Sequence, residues 1–322
     1  MPRARVFVTR RMPGDALERL APHAEVDLWP GDMPPPYDDL VARTAQADAL
    51  ICMLTDRIDA ALIAAAPRLR VISQMAVGYD NIDVAAAAAR RIPVGHTPGV
   101  LTEATADLTF ALILAVTRRI VEAERYVRDG HWKTWDPGAL LGLELHGATL
   151  GIIGFGKIGQ AVASRARGFG MRVLCATRTP IGTDLGEPTA LDDLLTSSDI
   201  VSLHVPLSAE TTHMIGEREF RLMKPTAFLI NTARGPIVDQ PALVRALHEG
   251  WIAGAGLDVT ETEPIPPDDP LLRAPNCVLL PHIGSATLAT RSRMANMAVD
   301  NCLAGLVGEP LPNRVNPGPP AS

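Results

Sequence analysis

The sequence predicts an α/β protein built from two doubly wound parallel-sheet domains. Three observations carry that expectation. Short apolar runs alternate with helical stretches twice along the 322 residues. A glycine-rich turn opens the second series, between a strand and a helix. At roughly 100–200 residues per domain, the length suits two domains.

The first series occupies residues 1–100. Its expected strands are Arg5–Thr9, Glu25–Leu28, Ala49–Cys52, Val71–Ser73 and Pro93–Gly95. Helical segments Asp15–Leu20, Tyr37–Ala45, Asp59–Ala65 and Val84–Arg90 lie between them, and Pro30–Pro36 is a proline-rich loop. Strands that alternate with helices pair in parallel, with helices on both faces. Thr102–Asp129 then reads as one long helix. Its section Phe110–Val116 is apolar nearly all round, which predicts burial between domains or between subunits. The loop His131–Gly142 carries two tryptophans.

From Ala148 a second series supplies strands Ala148–Ile153, Arg172–Ala176, Ile200–His204, Ala227–Asn231, Gly256–Val259 and Val278–Leu280. Six such strands suit a nucleotide-binding domain over residues 101–285. The tail, residues 286–322, is helical from Thr287 to Gly308 and proline-rich after it. Chain ends often lie close together, so the first and last segments are expected to share a domain.

Composition removes several function classes. Hydrophobic residues at 47% provide for sizeable cores, and 20% charged residues exclude a disordered chain. Thirty basic side chains against 36 acidic ones leave a net charge of −6, which argues against a general binder of nucleic acid or anionic membrane. Cys52, Cys175, Cys277 and Cys302 stand at no CxxC spacing and in no cluster with histidine, so no metal site is expected. Their apolar neighbours suggest buried thiols in a reducing compartment. The basic N-terminus has no apolar run behind it and reads as a strand, not a signal peptide. The longest apolar run, Phe110–Val116, falls far short of the roughly 18 residues of a membrane span. A soluble, cytoplasmic protein is the expectation.

The segment ATLGIIGFGKIGQAVASRARGFG runs strand, glycine turn, helix. Gly154, Gly156 and Gly159 fill a GxGxxG pattern. The first glycine permits the tight turn, the second lets a pyrophosphate approach the backbone, and the third allows close helix–strand packing. The helix N-terminus then offers amides and a positive dipole end to phosphate. Such a pattern alone is weak, but a strand before it and a helix after it are the context that gives it meaning. The next strand bears on the choice of dinucleotide. An Asp or Glu about 20 residues on would hold the ribose 2′-hydroxyl of NAD. Here the strand RVLCA runs into Thr177, Arg178 and Thr179, with no acid. A guanidinium fork and two hydroxyls suit a 2′-phosphate, so NADP(H) is expected. The alternative is a solvated loop arginine.

Three polar residues follow three strands of this second domain. Arg234 follows AFLINTA, Glu263 follows GLDVTET and His282 follows CVLLP. Ligands of open α/β sheets bind outside the carboxyl ends of the strands, so all three can converge. Arginine can grip a carboxylate in two hydrogen bonds. Histidine titrates near neutral pH and can pass a proton to an oxygen, and a carboxylate beside it favours its charged form. Together they suit reduction of a 2-keto acid, with hydride from a nicotinamide. Singly, each has a plain reading: a surface or helix-cap arginine, a solvated glutamate, a satisfied core histidine.

These blocks, GFGKIG, NTARGPIVD, AGLDVTETEP and LLPHIGSAT, resemble signatures of the D-isomer-specific 2-hydroxyacid dehydrogenases. The likeness also covers Met75–Asp83 and Glu103–Ala115, and within that family it is strongest to the glyoxylate/hydroxypyruvate reductases. The resemblance implies a Rossmann nucleotide-binding domain and a flavodoxin-like substrate domain formed by both chain ends. It implies Arg234, Glu263 and His282 as the catalytic triad. Val77 and Gly78 would present amides to the substrate carboxylate, with Leu54 lining the pocket and Arg234 and His282 also at the substrate. Asp258 would bond the nicotinamide amide. Thr105, Phe155, Lys157, Ile158, Pro206, Thr232, Ala233 and Gly284 would complete the cofactor site. The region after residue 102 would form a homodimer interface, with Trp132 or Trp135 reaching the partner's active site. The implied reaction is NADPH-dependent reduction of glyoxylate or hydroxypyruvate to glycolate or D-glycerate, with NAD(H) tolerated.

Rival readings separate on particular residues. Formate dehydrogenases pair their histidine with glutamine, against which Glu263 speaks. Phosphoglycerate dehydrogenases commonly carry a C-terminal extension and an NAD-selecting acid, and neither is expected here. Phosphite oxidation is compatible with the triad. Corepressors of this fold sense the dinucleotide and can keep the triad. The sequence lacks the long disordered tails expected of them.

Overall fold

Short apolar segments with no polar alternation are what a parallel strand covered on both faces requires. A computed structural model of the chain describes residues 3–178, 182 and 184–316. It divides into two compact units, Met1–Leu101 with Ser285–Ser322, and Thr102–Gly284. Among the described residues, each unit is built on one all-parallel sheet.

In the first unit the strands are β1 (Arg5–Val8), β2 (Glu25–Leu28), β3 (Ala49–Cys52), β4 (Val71–Gln74) and β5 (Val94–Gly95), in the order β2-β1-β3-β4-β5. That is the flavodoxin-like order, with its switch point between β1 and β3. Every residue of β3 and β4 is buried. Helices Ala60–Ala65 and Val84–Ala89 start where the Asp59 and Asp83 carboxylates accept from the amides of Leu62 and Ala86. The C-terminal helix Leu288–Val307 packs on β3, β4 and helix Ala16–Leu20, so both chain ends build this unit. Two polar contacts fix it there. Ser73 Oγ donates to the Ala298 carbonyl at 2.7 Å, and the buried Asn301 donates from Nδ2 to the His96 carbonyl at 2.9 Å.

In the second unit the strands are β6 (Thr149–Ile153), β7 (Arg172–Ala176), β8 (Glu187–Pro188), β9 (Ile200–Leu203), β10 (Phe228–Asn231), β11 (Gly254–Leu257) and β12 (Cys277–Leu279). Their order, β12-β11-β10-β9-β6-β7-β8, is the Rossmann order with one further strand. The switch point falls between β6 and β9, where the glycine turn lies. The carboxyl ends of β10, β11 and β12 are neighbours on the same edge.

Two expectations are corrected. The region Thr102–Asp129 is not one helix but two, Thr102–Thr117 and Ile120–Arg128, broken at Arg119 with φ +53°. The Thr117 carbonyl that would continue the ladder accepts instead from the Leu143 amide at 2.9 Å. A Cβ on Gly142 would stand 2.2 Å from that carbonyl oxygen, so only glycine admits the approach. One face of the apolar section, Phe110, Leu112, Ile113 and Val116, is buried within its own unit, against β10, β11 and β12 and helix Lys157–Gly168, while Ala111 is exposed and Leu114 and Ala115 are half-buried. Gly256 on β11 lets it sit close: a Cβ there would be 3.3 Å from Leu112 Cβ. The second correction is β8, which no run announces because it has two residues, one of them proline, at the sheet edge.

Candidate active site

The glycine turn begins where β6 ends. Gly154 adopts φ +93°, and a Cβ there would strike the backbone of His204 and Val205 at 2.6 Å. At Gly159 a Cβ would stand 2.3 Å from the Gly154 carbonyl, so helix Lys157–Gly168 packs hard onto the turn. Gly156 is different, for a Cβ there meets nothing within 4 Å. Protein packing does not demand that glycine, whereas a pyrophosphate laid against the backbone would. Gly156 caps the helix without a side-chain bond, which leaves the first-turn amides of Lys157 and Ile158 for an anion. Phe155 is buried in the core, so only its backbone faces the turn. These residues fit a dinucleotide.

Thr177 and Arg178 follow β7, beside this turn, and both are exposed. The Arg178 charge helps hold the Glu210 carboxyl below its usual value, after hydrogen bonds from Ser208 and the Glu210 backbone. Asp184, the next acid in the chain, pairs with Arg167. Thr179 lies outside the described residues. Pro206 is exposed beyond β9.

On the adjacent ends of β10, β11 and β12 the three predicted catalytic residues take shape. The Asn231 side chain folds over the turn after β10, donating to the Arg234 carbonyl at 2.9 Å and accepting from the Ala233 amide at 3.0 Å. Arg234 is half-buried, and its Nη1 donates to the Ala233 carbonyl at 2.8 Å. Glu263 Oε2 lies 2.7 Å from His282 Nδ1, and its Oε1 accepts from the Thr260 amide at 3.2 Å. With Nδ1 held by the carboxylate, Nε2 is the ring nitrogen from which a proton can leave. His282 adopts φ +55°, a strained setting for a non-glycine residue.

Asp258 holds that turn. It is 1% exposed, and its two oxygens accept from the amides of Ile283 and Gly284, both at 2.7 Å. Burial raises its carboxyl above the usual value, against the pull of those amides and of His282. Thr105 Oγ1 donates to the Gly284 carbonyl at 3.2 Å, and Thr109 and Thr232 share a hydroxyl contact of 3.0 Å. Thr105, Thr232, Ala233, Asp258 and Gly284 thus lie in one network with the triad turns.

In the first unit, Val77 and Gly78 lie on the loop after β4. The Val77 carbonyl is 2.9 Å from His96 Nδ1, and the Gly78 carbonyl accepts from Gln74 Nε2 at 3.3 Å. Gln74 Nε2 also donates to Asn81 Oδ1 at 2.7 Å, and Asn81 Nδ2 donates to the carbonyls of Met53 and Asp56. The loop bearing Leu54, 38% exposed, is thereby tied to the loop bearing Gly78. Gln74, Asn81, His96 and Asn231 were not singled out by the sequence reading. Their signal was a polar residue at a strand end or inside a glycine-rich turn. No group of His, Cys, Asp or Glu among the described residues is arranged to hold a metal. No helix among them is long and apolar enough to cross a membrane. The four cysteines are unpaired; burial pushes Cys277 and Cys302 up to about 12 and raises Cys52 and Cys175.

A Rossmann-ordered sheet, a glycine turn fit for a dinucleotide and a histidine–carboxylate pair beside an arginine define a class: nicotinamide-dependent oxidoreductases. The family model described as "D-isomer specific 2-hydroxyacid dehydrogenase, NAD binding domain" matches residues 110–284. The chain belongs to the D-isomer-specific 2-hydroxyacid dehydrogenase family. It is 56% identical to a glyoxylate reductase of Korarchaeum cryptofilum, over 97% of this chain and 96% of that one. A solved protein from Thermus thermophilus superposes with a TM-score of 0.93 at 52% identity, covering 97% and 99% of the two chains. An NADPH-dependent glyoxylate/hydroxypyruvate reductase from Sinorhizobium meliloti, solved with NADP and malonate, gives 0.87 at 35% identity, covering 97% of each chain.

His204 closes the site from behind the glycine turn, its Nε2 2.8 Å from Ser202 Oγ. Burial pushes it down from 6.5 to about 4. As the pH falls from 6.5 toward 4, the unfolded chain takes up this proton and the folded protein does not. The stability tied to neutral His204 is therefore complete above that window and lost through it. Part of the residue reaches solvent, which limits the loss to about 1–2 kcal/mol. His204→Asn should flatten the fall of the urea midpoint between pH 6.5 and 4. Parallel curves for the two proteins would assign the acid sensitivity elsewhere.

Proposed function

We propose that the protein reduces small 2-keto acids, glyoxylate and hydroxypyruvate foremost, to 2-hydroxy acids with NADPH. The observation that carries this reading is the 2.7 Å contact between His282 Nδ1 and Glu263 Oε2, on a strand end beside that of Arg234. The named activities of the similar proteins from Korarchaeum cryptofilum and Sinorhizobium meliloti support the substrate class. Residues 102–284 serve as the dinucleotide-binding unit, and the unit formed by both chain ends serves the substrate.

Arg234 grips the carboxylate and polarises the keto oxygen as charge develops on it. Val77 and Gly78 add backbone amides to the carboxylate; with both carbonyls already bonded, the amides are the groups that loop has to offer. A dinucleotide held at the glycine turn would supply the hydride that the keto carbon takes up. His282 gives the proton from Nε2 to the keto oxygen, and Glu263 holds the ring in the orientation and charge state for that transfer. The product is the 2-hydroxy acid. Asp258 would accept from the carboxamide of the nicotinamide through the lone pairs that the Ile283 and Gly284 amides leave free. Arg178, with Thr177 and Thr179, reads the 2′-phosphate, so NADPH is favoured and NADH is the lesser cofactor.

The working form is a homodimer. Helix Ile120–Arg128 buries none of its residues, and Ile120 and Val127 are 50% and 53% exposed. Trp132 and Trp135 follow at 64% and 79%, a concentration of apolar surface that a second copy would cover. Light scattering on the purified protein should give twice the chain mass. A monomer mass at micromolar concentration would defeat this part.

Steady-state assays with a panel of keto acids against both cofactors test the reaction. Glyoxylate should consume NADPH, and His282→Ala should lose about a hundredfold or more, the usual worth of a general acid. Tight NADPH binding without turnover of any keto acid would favour a dinucleotide sensor. Arg178→Ala should weaken NADPH by about ten- to a hundredfold while barely changing NADH. Equal loss for both would show that Arg178 does not read the 2′-phosphate.

A further inference from the structure

Glu263 sits on a loop, Thr260–Pro264, with no regular structure to fix it. Three contacts from elsewhere in the unit meet that loop at one residue or its neighbour. Gly235, next to Arg234, lies so close that a Cβ would stand 1.9 Å from the Thr260 carbonyl oxygen. The Glu261 amide donates to Gln240 Oε1 at 3.0 Å. Gln240 cannot turn its amide round, because its Nε2 donates to Asp269 Oδ2 at 2.8 Å. The Glu261 carboxylate is 2.8 Å from His213 Nε2. His213 is itself anchored: its amide donates to the Pro236 carbonyl at 2.8 Å, and Ile215 bridges to Val238. The segment that follows Arg234, residues 235–240, therefore touches the Glu263 loop directly and also holds the histidine that grips it.

We propose that Glu261, held by His213 and Gln240, is the positioning residue that sets where Glu263 meets His282. The assignment rests on the proposed reduction for its catalytic meaning, and on geometry alone for the tether. Thr260 and Glu261 are consecutive, and the Thr260 amide is the donor to Glu263 Oε1. Fixing Glu261 fixes that amide, and the amide fixes one oxygen of Glu263. The other oxygen is then delivered to His282 Nδ1. Arg234 gains from the same anchorage, since its own turn is the other side of the Gly235–Thr260 contact. The tether thus keeps the carboxylate-gripping arginine and the proton-donating pair in register with one another. A catalytic geometry that loosens by about 1 Å loses up to about a hundredfold, so a loop contact of this kind has measurable consequences.

Two measurements on the full-length protein test the tether. In protein labelled with 15N-histidine, the His282 ring signals are assigned by their loss in His282→Ala. Glu261→Ala should move the His282 Nδ1 signal in the direction that Glu263→Gln moves it. Glu261→Gln, which still accepts from the His213 ring, should leave it in place. In steady-state reduction, Glu261→Ala should lower kcat by about three- to tenfold with the KM for NADPH unchanged, and Glu261→Gln should restore it. Combined with Glu263→Gln, Glu261→Ala should cost nothing further, because both act through one contact. A His282 signal that Glu263→Gln moves and Glu261→Ala does not would overturn the proposal. The expected signal changes in a protein that turns over no 2-keto acid would uphold the tether and defeat the proposed reaction instead.

Discussion

A buried carboxylate holds the turn that carries His282. Asp258 directly follows β11, and its oxygens take the amides of Ile283 and Gly284 while its own carbonyl takes the amide of His282. Three consecutive amides of one turn are thereby bound to the single residue that follows the neighbouring strand. That is enough to keep a histidine in a left-handed conformation that its Cβ disfavours. The arrangement depends on sheet order. Parallel strands release their chains at the same edge, and β10, β11 and β12 are adjacent, so the segments that carry Arg234, Asp258, Glu263 and His282 leave the sheet side by side.

What the sequence discloses follows from how local the cause is. The strands read as apolar runs because each is covered on both faces, and the glycine turn reads from its place between a strand and a helix. Arg234, Glu263 and His282 were legible because each follows a strand by a few residues. The break at Arg119 was not, since its cause is the amide of Leu143, which lies outside the helical segment and captures the Thr117 carbonyl. Gln74, Asn81, His96 and Asn231 escaped for a related reason. Each bonds backbone groups that the sequence does not display as targets.

The same logic shapes the loop of Val77 and Gly78. A peptide loop offers an anion its amides when its carbonyls are turned to other partners. Gln74 and His96 occupy them, and Asn81 ties that loop to the one bearing Leu54. Two loops far apart in sequence are in this way tied together, by one fully buried polar side chain, Gln74, and two half-buried ones, Asn81 and His96.

The thiols lead to a consequence of another kind. All four are unpaired, and burial holds every one of them in the protonated state at neutral pH. Cys52, Cys175 and Cys302 are also shielded from solvent, whereas Cys277 is half-buried. Cys52 and Cys302 lie in the unit built by both chain ends, and Cys175 and Cys277 in the other. The buried thiols, Cys52 and Cys302 in one unit and Cys175 in the other, meet a labelling reagent when their own sheet opens, so the rate at which each is labelled is a clock for the opening of its unit.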